Sequence, residues 1–415
     1  MMKIKPFRAL RPEAEAVFAV NSPPYDIVSR NQAVEIIKKN PDSFLKVLKP
    51  EAVIPCDQEW GYQKLAEKAA ENLEELIKSK KIFFDSKPCF YIYQQEDKFY
   101  RRAGIVCCLS IKDYLNGSIK KHENIRTETW QERVEHILVT RAHTGCILMV
   151  YEENTIIKNI VEQSMVKENC IYDFISDDGI KNCCWKIDND DTIYSLKDAF
   201  QKIPNLYIAD GHHRVAAAAE VARLEQETNK DKGLDGEYAY FPAVLIPKQQ
   251  IRIRGYHRLI KNLDNFSPDS FLERLNLNFK VEKLSDNQPF LPSQKNIFGM
   301  NLAGDWYKLI IKEDKIPGKQ CKVDQLDVSI LQNKILDPLL NIKDPQNSNK
   351  VEFIGGNSSL SQLIDKIHQG ANLAFTLYPT SIDEVINVSD NNEIMPSKST
   401  WFEPKLRSGI FIHRF

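Results

Sequence analysis

The chain has 415 residues, 42% hydrophobic, 10% aromatic and 27% charged. That is too long for one small core and points to two or three domains, with ample apolar material to bury them. With 56 Lys plus Arg against 57 Asp plus Glu, the formal net charge of −1 argues against a protein held to nucleic acid by bulk charge, and no stretch of about 18 consecutive apolar residues offers a membrane span.

From the N-terminus, Met1 to Arg8 lacks the apolar segment and cleavage site of a secretory signal, so a cytoplasmic protein is expected. Ser22-Pro23-Pro24-Tyr25-Asp26 reads as a rigid turn, because two prolines fix the backbone and remove two donors. A helix is expected from near Ser29 to before Pro41, and a long amphipathic helix with Leu65, Ala69, Leu73, Leu76 and Ile77 on one stripe. Phe90–Tyr93 and Phe99-Tyr100 flank a hairpin, and Gly104–Ile111 reads as a further strand. His122–Val139 reads as one polar helix and Cys146–Tyr151 as a buried strand. The nine cysteines contain no C-x-x-C, and the adjacent pairs Cys107-Cys108 and Cys183-Cys184 point to opposite faces if extended; reduced buried thiols are expected.

Leu206–Ala209 is a short apolar strand, Asp210-Gly211 interrupts it, and the Ala-rich tract from Val215 continues as helix. Glu225–Glu237 reads as a loop and Phe241–Ile246 as a strand. Beyond Ile251 the expected elements are a strand at Trp306–Ile311 and a helix at Asp327–Leu336. A second helix carries Leu360, Leu363, Ile364 and Ile367, capped by Ser358 and stopped at Gly370, and strands follow at Ala374–Tyr378 and Ile410–Ile412.

The sharpest chemical signal is Asp210-Gly211-His212-His213-Arg214. A strand–turn–helix junction presents backbone N–H groups and a partial positive charge, glycine permits close approach, and Arg adds a forked donor, so a phosphate is the natural ligand. Asp210 as a plain helix cap, with Arg214 paired to a carboxylate, is the structural alternative. His212 and His213 lie about 100° apart on a helix, so one of them is expected to face a ligand. A second group is His122, Glu123 and Arg126, followed by Glu128, Glu132, Arg133 and His136, where a carboxylate could act as general base or hold Mg²⁺ through a phosphate. A solvated, salt-bridged helix is the competing reading. A third is Lys398-Ser399-Thr400-Trp401-Phe402-Glu403-Pro404-Lys405, whose lysines suit an acidic ligand group, with a buried Trp-Phe anchor bearing exposed charges as the competing reading. Tyr25 and Asp26 could line a pocket, or simply form the turn.

These pieces resemble a family labelled as domain of unknown function 1015, through Pro23-Pro24-Tyr25-Asp26, Asn40-Pro41-Asp42-Ser43-Phe44-Leu45, His122-Glu123, Ile208–Arg214, Leu326–Leu331 and Met395–Lys405. The sequence departs from the family's habit at Asn124-Ile125 and at Ser397. The Asp-Gly-His-His-Arg turn also resembles the phosphate-binding turn of the ParB and sulfiredoxin superfamily, which includes free serine kinases. The resemblance implies a mixed α+β fold: a ParB/sulfiredoxin-like phosphate-binding region over 1–250 and an α+β domain over 251–415 contributing the Lys398–Lys405 loop. It further implies a nucleotide-dependent phosphotransferase acting on a small hydroxyl compound, with free serine as one acceptor. The amides of Gly211 and His212, with Arg214, His122 and Arg126, would hold phosphates of ATP or ADP, with Mg²⁺ bridging them. Glu123 or Asp210 would take the hydroxyl proton, and His212 or His213 would stabilise the transferred group. Tyr25, Asp26, Lys398, Ser399, Thr400 and Lys405 would hold the small-molecule substrate. A ParB-like nucleotide- or nucleic-acid-binding regulator and a phosphate-ester hydrolase are the alternatives.

Overall fold

The computed structural model describes residues 2–415 apart from 56–59, 229–232, 262–266, 287, 319–320 and 357–358. Its contacts divide the chain into two units: residues 1–121, 125–251 and 404–415 form the first, and residues 122–124 and 252–403 the second. The fold is mixed α+β in both. No helix among the described residues is long and apolar enough to cross a membrane.

Unit 1 is built on a nine-stranded sheet. Across it run Ile119–Lys120, Leu206–Asp210, Ile147–Tyr151, Tyr240–Pro247, Tyr100–Ser110, Phe90–Asp97, Lys181–Ile187 and Cys170–Ile175, with Ile4–Lys5 also on Tyr100–Ser110. Ile147–Tyr151 and Tyr240–Pro247 pair in parallel, as do Leu206–Asp210 and Ile119–Lys120, and the remaining pairs are antiparallel. The runs ILMVY and YFPAVLIP are apolar almost throughout because these strands are buried along nearly their whole length. Helix His212–Thr228 turns Val215, Ala218 and Ala222 into the same core as Ile147, Met149, Ile208 and Leu245. A satellite core gathers Leu10, Val20, Phe44, Leu48, Leu73 and Leu76 beneath helix Tyr62–Lys78. Unit 2 is a six-stranded antiparallel sheet in the order Phe279–Lys283, Asp305–Ile311, Ile297–Leu302, Leu373–Leu377, His257–Ile260, Val351–Ile354. Leu259, Trp306, Ile354, Leu363 and Ala374 form its core.

Several expected elements stand close to where the sequence puts them. Helix Arg30–Lys39 opens with a capping box from Ser29 to Gln32, and the strand–turn–helix order at Leu206–Thr228 is present. The eight described cysteines are free thiols, six of them buried. Others need correction. The polar helix starts at Thr127, not at His122, because Arg126 is extended and serves as its N-cap. The strand expected at Gly104–Ile111 is the second half of one long strand, Tyr100–Ser110. Helix His212–Thr228 runs into the segment expected as loop. After Leu331 the helix Asp327–Leu331 loosens into a π turn over Gln332–Leu336. Ile412 makes a single bridge to Leu10, and the terminal strand is His413–Arg414. Ser358 lies outside the described residues.

Candidate active site

The turn that carries the site begins with a β-bulge. Ile208 faces Met149, but Asp210 faces Leu148, so Ala209 is the extra residue. A bulge bends its strand and re-aims the next side chains, and here it redirects Asp210 just before the strand ends. Gly211 comes next at φ +107°, in the region only glycine enters readily. A Cβ there would stand 3.0 Å from Ile147 Cδ1 and from two Arg214 nitrogens. The Gly211 carbonyl accepts the first helical bond, from Val215 N at 3.1 Å, so helix His212–Thr228 starts immediately behind Asp210. A helix start favours an anion in front of it.

Two cations converge on that aspartate. Lys405 Nζ donates to Asp210 Oδ2 at 3.3 Å, and Arg214 Nη2 lies 3.8 Å from the same oxygen. Burial alone would raise the Asp210 carboxyl. Lys405 and Arg214 overcome it and hold the group below the ordinary carboxylate range, so it is anionic. Arg214 also donates from Nη1 to the Cys146 carbonyl at 2.6 Å. The neighbouring Gly145 leaves room for that guanidinium: a Cβ there would sit 3.3 Å from Nη1.

The two histidines of the turn diverge. His212 is buried, and burial pushes its imidazole down to about 3, so it is neutral. His213 Nε2 accepts the backbone N–H of Arg126 at 3.0 Å, which ties the start of helix Thr127–Thr140 to the turn.

Beside Arg214 lies a small cavity of about 30 Å³ within unit 1, lined among others by Tyr25, Arg133, His136, Thr144 and Gly145. The Arg133 guanidinium stacks 4.4 Å from the Tyr25 ring centre, and its outer nitrogen pairs with Glu132. Arg133 is 4% exposed, and its Nε has no hydrogen-bond partner. His136 Nε2 contacts Thr144 Oγ1 at 3.2 Å, and burial holds its ring well below the usual histidine value. Burial raises the Tyr25 phenol, opposed by Arg133 and Arg214.

Unit 1 thus brings together Asp210, Gly211, His212, His213, Arg214, Arg126, Tyr25 and Lys405, while Asp26, next to Tyr25, is exposed. The other expected site residues lie in unit 2. There the His122 carbonyl accepts Met395 N at 2.9 Å and its ring lies 6.3 Å from Phe402. Glu123 is half-buried. Lys398 has φ +59° and sets its ammonium 5.8 Å from the Tyr256 ring, and its carbonyl accepts Arg258 at 2.9 Å. Ser399 is buried, its hydroxyl donating to the Pro396 carbonyl, while Thr400 is half-buried. Among the described residues no group of three or more His, Cys, Asp or Glu is arranged to hold a metal ion.

A family model described as "Protein of unknown function (DUF1015)" matches residues 4–329, well over half of the chain. The chain belongs to the DUF1015 family. A comparison with curated proteins finds no match. Among solved structures, this family member is similar to free serine kinase in complex with AMP, at 12% identity and a TM-score of 0.35, covering 72% of this chain and 86% of that one. It is also similar to SbnI with C-terminal truncation from Staphylococcus aureus, at 11% identity and a TM-score of 0.37, covering 72% and 84%. A conserved hypothetical protein from Pyrococcus furiosus matches at 11% identity and a TM-score of 0.35, covering 72% and 90%. Likeness at this level assigns no residue its role in the DUF1015 chain.

Arg133 is the residue whose place the sequence hides most. It sits in a run of charges at helical spacing that reads as a solvated face. Arg133, His136 and Thr140 nevertheless fall at i, i+3 and i+7, and all three are buried. That spacing of polar residues on one helical stripe is the signal that could have found them.

Proposed function

We propose that this protein is a nucleotide-dependent phosphotransferase acting on a small hydroxyl compound, with its phosphate site at the Asp210–Arg214 turn. The observation that carries the reading is the meeting of Asp210, Lys405 and Arg214 at the start of a long helix, over a glycine at positive φ where a side chain would crowd Arg214. Helix-start amides, a guanidinium and an ammonium supply the positive field that phosphoryl oxygens need, and catalysis of phosphoryl transfer is mostly positioning and charge stabilisation of this kind.

The electrostatics divide the roles further. A carboxylate held far below neutral pH is a weak general base, so Asp210 is better suited to hold Mg²⁺ against bound phosphates than to take a hydroxyl proton. Mg²⁺ would neutralise charge on the transferring group. A neutral His212 can donate one hydrogen bond toward the turn without adding positive charge.

The test is to incubate the purified protein with Mg²⁺, with ATP, ADP or CTP, and with a panel of small hydroxyl compounds that includes L-serine, then follow nucleotide conversion and phosphorylated product. Product formation that disappears in Asp210→Asn supports the reading. Free phosphate without an acceptor would make the protein a hydrolase, and no binding or turnover of any nucleotide would end the proposal.

A further inference from the structure

We infer that the cavity between Arg133 and Arg214 is a binding site for one compact oxyanion, a carboxylate or a phosphate group. This rests on the reading of the Asp210–Arg214 turn as a phosphate-handling site, because Arg214 belongs to both.

The charge balance of the lining carries the argument. Two guanidiniums line one small cavity, and none of the residues lining it is a carboxylate. Glu132 pairs with the outer end of Arg133, and Asp210 approaches Arg214 at 3.8 Å, but neither lines the cavity. Each guanidinium meets one carboxylate outside the cavity, and an oxyanion inside it would pair with the donors that both still present there. Arg133 Nε, buried and without a hydrogen-bond partner, is the donor such a group would satisfy. Arg is also the side chain whose planar fork matches carboxylate and phosphate oxygens. Tyr25, Thr144 and Ser408 add hydroxyl groups to the same lining.

Size narrows the ligand. A cavity of about 30 Å³ holds roughly two water molecules. That size suits a compact group such as a carboxylate or a phosphate better than a base or a ribose. The cavity is therefore matched to a terminal anionic group, while the body of a nucleotide lies elsewhere.

The experiment measures the unfolding midpoint of the intact chain against increasing sodium phosphate and, separately, sodium acetate, with sodium chloride as the ionic-strength control. A saturable rise with phosphate, with acetate or with both is expected, and the arm that responds identifies the group. Arg133→Gln should weaken that response by about tenfold or more, and Arg133→Lys by less, since it keeps the charge and loses the fork. Gly145→Ala, which crowds Arg214 Nη1, is the second variant if Arg133→Gln does not fold. No response beyond the chloride control overturns the inference, as does a response that survives both Arg133→Gln and Gly145→Ala. ADP binding measured on the same samples separates the two ideas. Oxyanion binding without nucleotide binding sinks only the phosphotransferase reading, and nucleotide binding without an oxyanion response sinks only this one.

Discussion

Lys405 Nζ lies 3.3 Å from Asp210 Oδ2, although 195 positions separate the two residues in the chain. The contact fastens the C-terminal segment of unit 1 to the end of strand Leu206–Asp210, and it sets the charge state of the turn. Both side chains are largely withdrawn from water, at 13% and 22% exposure. Removing one partner therefore leaves the other poorly compensated. Lys405→Met should destabilise unit 1 by about 1–3 kcal/mol, and Asp210→Asn should cost less in that background than in the parent. A double-mutant cycle from urea melts measures the difference; strictly additive losses would mean the pair is not coupled.

Gly211 and Gly117 separate two reasons for glycine. Both have positive φ, +107° and +81°, but a Cβ at Gly117 would meet nothing within 4 Å, whereas one at Gly211 meets Ile147 and Arg214 at 3.0 Å. Gly117→Ala should cost only backbone strain, about 1 kcal/mol. Gly211→Ala should add the steric clash, for about 1–3 kcal/mol, and should displace Arg214 from the Cys146 carbonyl. Equal losses for the two variants would show that the packing around Gly211 yields freely.

Arg102 is 1% exposed and donates to Gln95 Oε1 at 2.7 Å and to the Pro404 carbonyl. Gln95 in turn donates to the Lys405 carbonyl at 3.0 Å. The backbone that presents Lys405 is thus pinned by side chains of the central sheet. Gln95→Leu should lower the stability of unit 1 by about 1–3 kcal/mol, since it leaves a buried guanidinium nitrogen and a carbonyl short of a partner. Its amide-exchange protection should fall first at residues 404–408. Uniform loss across unit 1 would contradict that assignment.

The strand–turn–helix frame of the site was legible because its signals are local. An apolar run stops at Asp210-Gly211, and an Ala-rich tract follows with strong helix propensity. The features the sequence concealed depend on distance along the chain. Nothing near Lys405 indicates that the last residues join unit 1, and nothing near Asp210 indicates which lysine it meets. The bulge at Ala209 is also invisible, since it exists only as a register shift against Leu148 and Met149. Helix Thr127–Thr140 misleads for another reason. Its charges repeat often enough to resemble an exposed face, yet one stripe of it is buried against the cavity. Helix Thr155–Lys167 lies where the sequence carries weak periodicity and leaves Ile156 exposed.

The two units should answer acid differently. In unit 1, burial keeps His136 and His143 well below the usual histidine value and His212 at about 3. The unfolded chain takes those protons near pH 6.5 while the folded one does not, so stability present above that pH is lost as pH falls. Each such histidine contributes a slope of about 1.4 kcal/mol per pH unit once the unfolded form is charged. In unit 2, His257, lowered to about 4 by burial, acts in the same direction. Asp327 opposes it: burial raises its carboxyl to about 7 despite the Asn296 amide it accepts at 3.0 Å. Between about pH 4 and 7 the folded unit holds that proton and the unfolded chain does not, so this contribution is lost as pH rises. One proton gained on unfolding and one released nearly cancel. From pH 7 to 5, hydrogen exchange read unit by unit should show unit 1 losing protection steeply and unit 2 changing little. In Asp327→Asn, which keeps an acceptor for the Asn296 amide, the compensation disappears and unit 2 should weaken with acid as unit 1 does. A unit 2 profile unchanged by that substitution would mean Asp327 is already ionised at neutral pH in the fold.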